Sequence, residues 1–589
     1  MCGIFGYSGK ENSFQRVLEG LKNLEYRGYD SWGIASIEKN KISIIKDVGD
    51  VDIKQKVSST SRTSIGHTRW ATHGGVTVNN AHPHLSTNSE FALVQNGIVE
   101  NFSQLKKMLE KENFIFKTDT DTEVIVRLIE LYLKKDNSLK QSIVEAFKKL
   151  HGRNTIMVID NKGKIYAIRN GSPLVLGIGD DNTFIASDIL SFSKYTNQVI
   201  YIEDYDMIEV ENNNIKIFNL KDNKEKDIHI ESVSEHLEDI SKDGYDHFML
   251  KEIVEQRECI KRITKYKESD FKIIVNLIRK SNTTYVVGAG TAGFAAGQIA
   301  YFLRNISNTN AIDIRSYDFK NYLSILNKKD LIITISQSGE TADTIEAINW
   351  AKEKGCKIVS IVNMEGSTLS RISDHTIYTK SGPEICVAST KAFTSQVTLG
   401  YLISKTVNNE YSDGIQNILS ISKDISNMFT EKNFNRIKKL VKKIKEKEHF
   451  FILGKGQNTY IALEGALKIK EISYKHFEGF SAGELKHGVI ALVEKGTPVF
   501  SIISNDSDSK DMISSSEEVH ARGAFTIGVG DPKFNNLKCF DYYIPTVRNN
   551  DLSCISNVIP FQLISYFLSL DIGNNIDKPR NLAKSVTVK

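Results

Sequence analysis

No Cys-x-x-Cys pair occurs in this chain, whose six cysteines (Cys2, Cys259, Cys356, Cys386, Cys539, Cys554) are scattered. That spacing argues against a disulfide framework or a cysteine zinc site and predicts a reducing, cytoplasmic setting. Charge of one sign is lacking too: 76 basic against 72 acidic residues leave a formal net charge of +4. Such a balance has no polyanion footprint, so nucleic acid is not an expected partner. Also missing are the basic and apolar regions of an N-terminal signal peptide. The lysine-rich run "FNRIKKLVKKIKEKEHF" has apolar residues at helical spacing and reads as a solvated helix face. One stretch, "YVVGAGTAGFAAGQIAYFL" (285–303), is uncharged for long enough to suggest a membrane span. Its glycines at 288, 290, 293 and 297 divide it into strand, turn and helix, so no membrane is expected.

A chain of 589 residues exceeds what one core usually serves, and two to four domains are expected. Residues 1–230 read as short alternating strands with a few helices, including "TIMVID", "TFIASD" and "MIEVENNNIKIFNL". An acidic, polar stretch follows, and 231–270 is expected to be a linker. Beyond it the rhythm becomes buried strand, turn, helix: "TTYVVGAGTAGFAAG", "DLIITISQSGETADT", "KIVSIVN". The same order returns in "HFFILGKGQNTYIALEG", "TPVFSIISNDSDSKD" and "AFTIGVG". Two copies of one α/β domain, each with a parallel sheet covered on both faces, are expected at 271–410 and 436–575.

Cys2 follows the initiator methionine. If Met1 is removed, thiol and α-amine sit on one residue, and the amine can take the thiol's proton, giving a nucleophile with its own base. From "MC" alone, a small packed hydrophobe is as good a reading. The surroundings decide: "CGIFGY", "LEYRGYDS", "GHTRWATHGG", "AHPH", "QNGIVEN" and "TDTE" occur in the order found in N-terminal-nucleophile glutamine amidotransferases, and the segment resembles that family. The resemblance implies an αββα sandwich in which Cys2 attacks the side-chain amide of glutamine. It assigns oxyanion stabilisation to Asn96 and the Gly97 backbone, glutamine's α-carboxylate to Arg69 and its α-ammonium to Asp121. Thr72 and His73 would line the pocket, and Trp70 resembles an indole that gates an ammonia passage. Bunched His67, His73, His82 and His84 raise metal binding as an alternative. A proline between His82 and His84 and the lack of a helix-spaced pair argue against it, and no metal is expected.

"GAGTAG" (288–293) fits the dinucleotide fingerprint, but the acid that should end the second strand is replaced by a mid-strand Asp313. "TISQSGETADT" sets Ser336, Gln337, Ser338 and Thr341 between a strand and a helix start, a natural seat for phosphate and also a well-capped helix. With "EICVASTKAFTSQ" it resembles the sugar isomerase (SIS) domain, which would add Thr291, Val387 and Ser389 to the sugar contacts. In the second copy Glu464, Lys468 and Glu471 fall at i, i+4, i+7, one face of a helix. Read locally, that is a solvated charged stripe. Glycine-flanked His487 and apolar neighbours oppose the local reading.

The tail 576–589 contains "PRNLAKSVTV", which would ordinarily pass as a frayed terminus. It closely resembles the ending of the amidotransferases that aminate fructose 6-phosphate. That resemblance spans the whole chain and implies that Lys584 forms a Schiff base at C2. Glu471 would move a proton between C1 and C2, with Lys468 and Glu464 supporting. His487 would come from a neighbouring subunit, hence a homodimer or larger homo-oligomer. No cofactor, pyridoxal phosphate included, is implied, because nitrogen arrives as ammonia. Trp32, Gln95, Arg257, Ala292 and Cys386 depart from the usual pattern. Another amidotransferase sharing the N-terminal half, such as one acting on phosphoribosyl pyrophosphate, and a non-catalytic phosphosugar sensor are the rival readings.

Overall fold

The structure is a computed structural model describing residues 2–55, 57, 59–233, 241–549 and 551–587. Met1, Val588 and Lys589 lie outside these residues, as does 234–240 of the expected linker. The chain divides into two compact units, Met1–Ile240 with Ala583–Lys589, and Ser241–Leu582.

Two antiparallel sheets, eight-stranded and seven-stranded, build the N-terminal unit. Alternation along their strands sorts side chains into layers, because successive residues face opposite sides. Ile4 from Gly3–Gly9 meets Ala92 and Val94 from Phe91–Gly97 in the core between the sheets, with Met157 and Ile159. Phe5 and Tyr7 turn the other way, against Val17, Leu18 and Leu21 of the helix Ser13–Leu24. Phe91 and Leu93 likewise pack under helices Thr122–Leu133 and Leu139–Phe147. The order is helix, sheet, sheet, helix. "VENNNIK" forms the hairpin of Asp206–Glu211 and Asn214–Asn219. Asn212 and Asn213 both take positive φ, +49° and +65°, as the tight hairpin turn requires.

The second unit holds two five-stranded parallel sheets of identical order. In chain order of their strands both run 2-1-3-4-5: Ala311–Arg315, Thr284–Gly288, Leu331–Ser336, Lys357–Val362, His375–Tyr378, and His476–Ser481, His449–Gly454, Pro498–Ile503, Phe525–Gly530, Tyr542–Pro545. The uncharged stretch at 285–303 is the strand Thr284–Gly288 and the helix Gly290–Ser307. Among the described residues one helix, Ser553–Ile572, is long and apolar enough to cross a membrane, and 94% of its apolar window is buried inside the protein. It is a core helix that the sequence reading did not single out. The lysine-rich run folds as Glu431–Ile444 with Ile437, Leu440, Val441 and Ile444 buried.

The segment read as a linker, 231–270, is largely structured. Phe248–Ile263 is a helix whose Met249, Ile253, Ile260 and Ile263 enter the core of the second unit. Its polar composition hid an apolar stripe at helical spacing.

Gly20 lies where the helix Ser13–Leu24 crosses Phe5, and a Cβ there would stand 2.4–2.5 Å from the ring. Gly20→Ala should therefore destabilise the N-terminal unit by about 1–3 kcal/mol. The check is the midpoint of urea unfolding; an unchanged midpoint would contradict the close approach.

Candidate functional site

Cys2 immediately precedes the strand Gly3–Gly9, which pairs with Thr63–Arg69, so the Trp70 backbone lies beside its sulfur. The Trp70 N–H donates to Sγ at 3.3 Å, and the thiol faces the Trp70 carbonyl at 3.6 Å. Burial pushes the thiol above its ordinary value, while the Trp70 amide and Arg69 pull the other way. Asn96 arrives from the opposite sheet. Its Nδ2 donates to Ser187 Oγ at 2.9 Å and to the Cys2 carbonyl at 3.2 Å. Gly97 has φ +131°, and a Cβ there would lie 1.9 Å from the Arg153 carbonyl oxygen, so only glycine fits.

Arg69 is buried and donates to the carbonyls of His73, Gly74 and Gly75, fixing the loop that bears Thr72 and His73. Burial depresses its guanidinium, and Cys2, Asp30 and Asp121 act against that, so these groups share one electrostatic site. Asp121 accepts the Val99 N–H at 2.7 Å, and burial raises its carboxyl. The rest of "TDTE" is scaffold: Thr120 bonds His84, Thr122 bonds His82, and Glu123 accepts the amides of Lys117 and Thr118 and pairs with Arg127 at 2.7 Å. Thr72 is exposed and Trp70 half-buried. Two residues missed in the sequence complete this site. Ser187 also accepts the Ile4 N–H at 2.8 Å, and Asp30 accepts the Ala71 N–H at 2.7 Å. No local pattern marks them, because their partners lie 183 and 41 residues away.

In the second unit the loop after Leu331–Ser336 closes on itself. Ser336 Oγ accepts the Gly339 N–H at 3.0 Å, Ser338 Oγ accepts the Glu340 N–H at 3.2 Å, and Thr341 stands at the N-terminus of Ala342–Glu353. The Gln337 carbonyl accepts the Asn363 N–H at 3.2 Å. Ser389 donates to Glu384 at 2.7 Å, and Glu384 also accepts the amides of Thr390 and Ala392. Val387 is tied from behind: its N–H meets the Asp577 carbonyl at 3.2 Å, while the Asp577 carboxylate takes the N–H groups of Phe248 and Met249. Glu384 and Asp577 were not read from the sequence.

Glu464, Lys468 and Glu471 lie on Asn458–Ser473, and the local reading as a solvated stripe fails. Glu464 is 0% and Lys468 1% exposed. Lys468 Nζ stands 3.6 Å from Glu464 and 2.5 Å from Glu471. Thr291, at the start of the first copy's helix Gly290–Ser307, donates to Glu464 at 3.2 Å. Both α/β copies therefore meet at this cluster. Burial pushes Glu464 up to about 8 against the pull of Lys468, and the flanking carboxylates hold Lys468 above its ordinary value against burial. His487 is exposed on the turn Ala482–His487 and has no polar partner among the described residues. Lys584 is half-buried and groups with the N-terminal unit. Asp313, the would-be dinucleotide acid, accepts the Tyr460 hydroxyl at 2.9 Å.

Curated relatives match from end to end. The glutamine–fructose-6-phosphate aminotransferase (isomerizing) of Fusobacterium nucleatum is 40% identical and that of Pyrococcus horikoshii 39%, each over 100% of both chains. This chain belongs to that family. It catalyses the glutamine-dependent synthesis of glucosamine 6-phosphate from fructose 6-phosphate. The glutamine amidotransferase domain model matches residues 67–194 and the SIS domain model matches 277–404 and 443–570. Among solved structures, the C-terminal domain of glucosamine-fructose-6-phosphate aminotransferase from Francisella tularensis is 32% identical. It covers 57% of this chain and 100% of its own, with a TM-score of 0.54.

The departures find places in the fold. Gln95 accepts the Thr122 hydroxyl and donates to Asn154 at 2.6 Å, Trp32 is a buried core residue, and Cys386 is buried against the Ile576 carbonyl. Ala292 leaves Thr291 as the hydroxyl at that turn.

Glu464 supplies a pH test. The folded protein holds its proton more tightly than an unfolded chain, so its contribution to stability is complete below about 4.5 and is lost as pH rises through about 8. Glu464→Gln keeps the neutral shape and should gain on the parent protein between pH 6 and pH 9. Each kcal/mol recovered is worth roughly 1–2 °C in Tm for a unit of this size. Parallel Tm curves across that range would contradict a proton held on Glu464.

Proposed function

We propose the following division of labour among the residues for this family's reaction. Cys2, freed of Met1, attacks the side-chain amide carbon of glutamine and uses its own α-amine as base. Asn96 and the Gly97 N–H take the developing oxyanion, Asn96 turning a donor from the Cys2 carbonyl toward it. Arg69 holds the α-carboxylate and Asp121 the α-ammonium, with Thr72 and His73 along the pocket wall. Nitrogen leaves as ammonia, and water returns the thioester to glutamate. Near neutral pH free ammonia would be mostly protonated and inert as a nucleophile, so it travels through a closed passage gated by Trp70.

The phosphate of fructose 6-phosphate docks among Ser336, Gln337, Ser338 and Thr341, and Thr291, Val387 and Ser389 touch the sugar. His487 of a neighbouring subunit assists ring opening, which makes the active form a homodimer or larger. Lys584 condenses with the C2 carbonyl and releases water, and ammonia displaces the lysine. Glu471 takes a proton from C1 and returns it at C2, converting the imine to the aldose amine. The enzyme works in the cytoplasm and needs no further cofactor.

The observation that supports this reading best is the buried Glu464–Lys468–Glu471 cluster at the meeting of the two SIS copies. A charged lysine at 1% exposure is costly as mere scaffold, and active sites concentrate such groups. A phosphosugar sensor has no use for it, and an amidotransferase for another acceptor has no use for the tail lysine.

Two variants separate the halves. Cys2→Ala should lose glutamine-dependent hexosamine synthesis by at least ~10³-fold and keep synthesis from added ammonium salt. Lys584→Ala should abolish synthesis from either nitrogen source while glutamine is still hydrolysed. Equal loss of both syntheses in Cys2→Ala, or undiminished synthesis in Lys584→Ala, would overturn the assignment.

A further inference from the structure

His67 in the N-terminal unit is bonded in a way that fixes its tautomer. His67 lies on Thr63–Arg69, directly across from Ile4 in the register of the first sheet. Its ring points into the layer between the sheets, stacked on His82 at 4.2 Å between centroids. There its Nε2 meets two oxygens of the opposite sheet, the Gln95 carbonyl at 2.8 Å and Asn96 Oδ1 at 3.2 Å. Neither oxygen can donate, so Nε2 carries the hydrogen. Nδ1 is buried without a hydrogen-bond partner.

This bond governs Asn96. A side-chain amide can turn over and exchange its oxygen for its nitrogen at little steric cost. Turned over, Asn96 would present Oδ1 to Ser187 and to the Cys2 carbonyl, and any oxyanion formed beside the thiol would face an acceptor. The His67 Nε2–H forbids that orientation, because the turned amide would bring NH2 against N–H. Ser187 is a weaker guard, since a hydroxyl can reverse its role.

We infer that His67 is the positioning residue of the glutaminase half, which holds the Asn96 amide in the orientation that donates to the oxyanion at Cys2. The inference rests on the proposed role of Asn96. His67 itself touches neither substrate nor thiol. Burial keeps the ring neutral, pushing it down to about 3, so it acts as a fixed donor over the working pH range and not as a base.

The test is a double-mutant cycle read as glutamate release from glutamine. His67→Phe keeps the stacked shape and removes the donor. It should lower kcat by about 10–100-fold with KM for glutamine nearly unchanged, less than the ~10²–10³-fold for losing an oxyanion donor outright. The acid limb of the pH–rate profile should not move. His67→Gln restores an N–H near the Nε2 position and should recover most of the lost rate. In an Asn96→Ala background, His67→Phe should cost less than about 2-fold, because the group it aims is gone. Full additivity of the two losses, a shifted acid limb, or failure of His67→Gln to recover rate would overturn the positioning role. Undiminished hydrolysis in Asn96→Ala would remove the oxyanion reading as well, which separates the two failures.

Discussion

A lysine ammonium with 1% exposure is the hardest fact in the second unit to accommodate. Taking such a charge out of water costs several kcal/mol even after relaxation, and only close opposite charge offsets it. Its neighbours Glu464 and Glu471 come from its own helix, one turn before and one turn after, the first a hydrogen-bonding carboxyl that ionises only at about pH 8, so the helix must stay intact and keep its face inward. That condition reaches outward. Gly465 lets Phe561 approach, with a Cβ there only 2.7 Å from the ring, which seats the apolar helix Ser553–Ile572 against the charged one. Thr291 reaches Glu464 from the first copy, and the Glu384 carboxylate of that copy raises Lys468 further. The two copies are thus joined by an electrostatic requirement as well as by their shared core.

The repeat has diverged accordingly. In the first copy the loop after the third strand reads Ser-Gln-Ser-Gly-Glu-Thr; in the second, residues 504–509 read Ser-Asn-Asp-Ser-Asp-Ser. Asp506 and Asp508 place two carboxylates in this loop, and Asp508 faces Lys455 at 3.7 Å. Like charge makes this second loop a poor phosphate seat. The second copy contributes instead through its first helix, which carries the buried triad. One topology, 2-1-3-4-5 in both sheets, thus carries a hydroxyl-rich loop in one half and a buried charged triad in the other.

What was legible in the sequence follows from the range of the forces involved. The strand-rich N-terminal part, the strand–Gly-x-Gly–helix openings and the repeat could be read because turn chemistry and periodicity are local. The charged triad was ambiguous, since i, i+4, i+7 spacing shows which residues share a face and not whether that face meets water. Phe248–Ile263 was folded into a linker because its polar residues outweigh its stripe. No role for Ser187, Asp30, Glu384 or Asp577 could be read. Ser187, Asp30 and Asp577 bond residues brought to them by tertiary packing, and nothing near them in the chain signals the partner; Glu384 folds back on Ser389, Thr390 and Ala392, a loop closure that no periodicity marks.

The bunched histidines show how geometry decides what composition leaves open. Four in eighteen residues suggest a metal centre. A metal ligand must offer an in-plane lone pair, and several ring nitrogens here are engaged in hydrogen bonds. His82 Nδ1 accepts the Gln95 N–H at 3.4 Å, which leaves its Nε2–H to donate to Thr122 at 3.1 Å. His67 turns its Nε2–H toward Asn96, and His84 Nε2 is engaged by Thr120 at 3.1 Å. His73 stands apart, edge-on to Phe102. Burial, with Arg69 nearby, drives His67, His82 and His84 toward the neutral form, Lys46 adding to it for the last two. Neutral imidazole in a dry layer has one donor and one acceptor at a fixed angle, which suits it to hold strands of two different sheets in register. The pairing of Cys2 with Asn96 depends on it, because Cys2 leads into a strand of one sheet and Asn96 lies on a strand of the other.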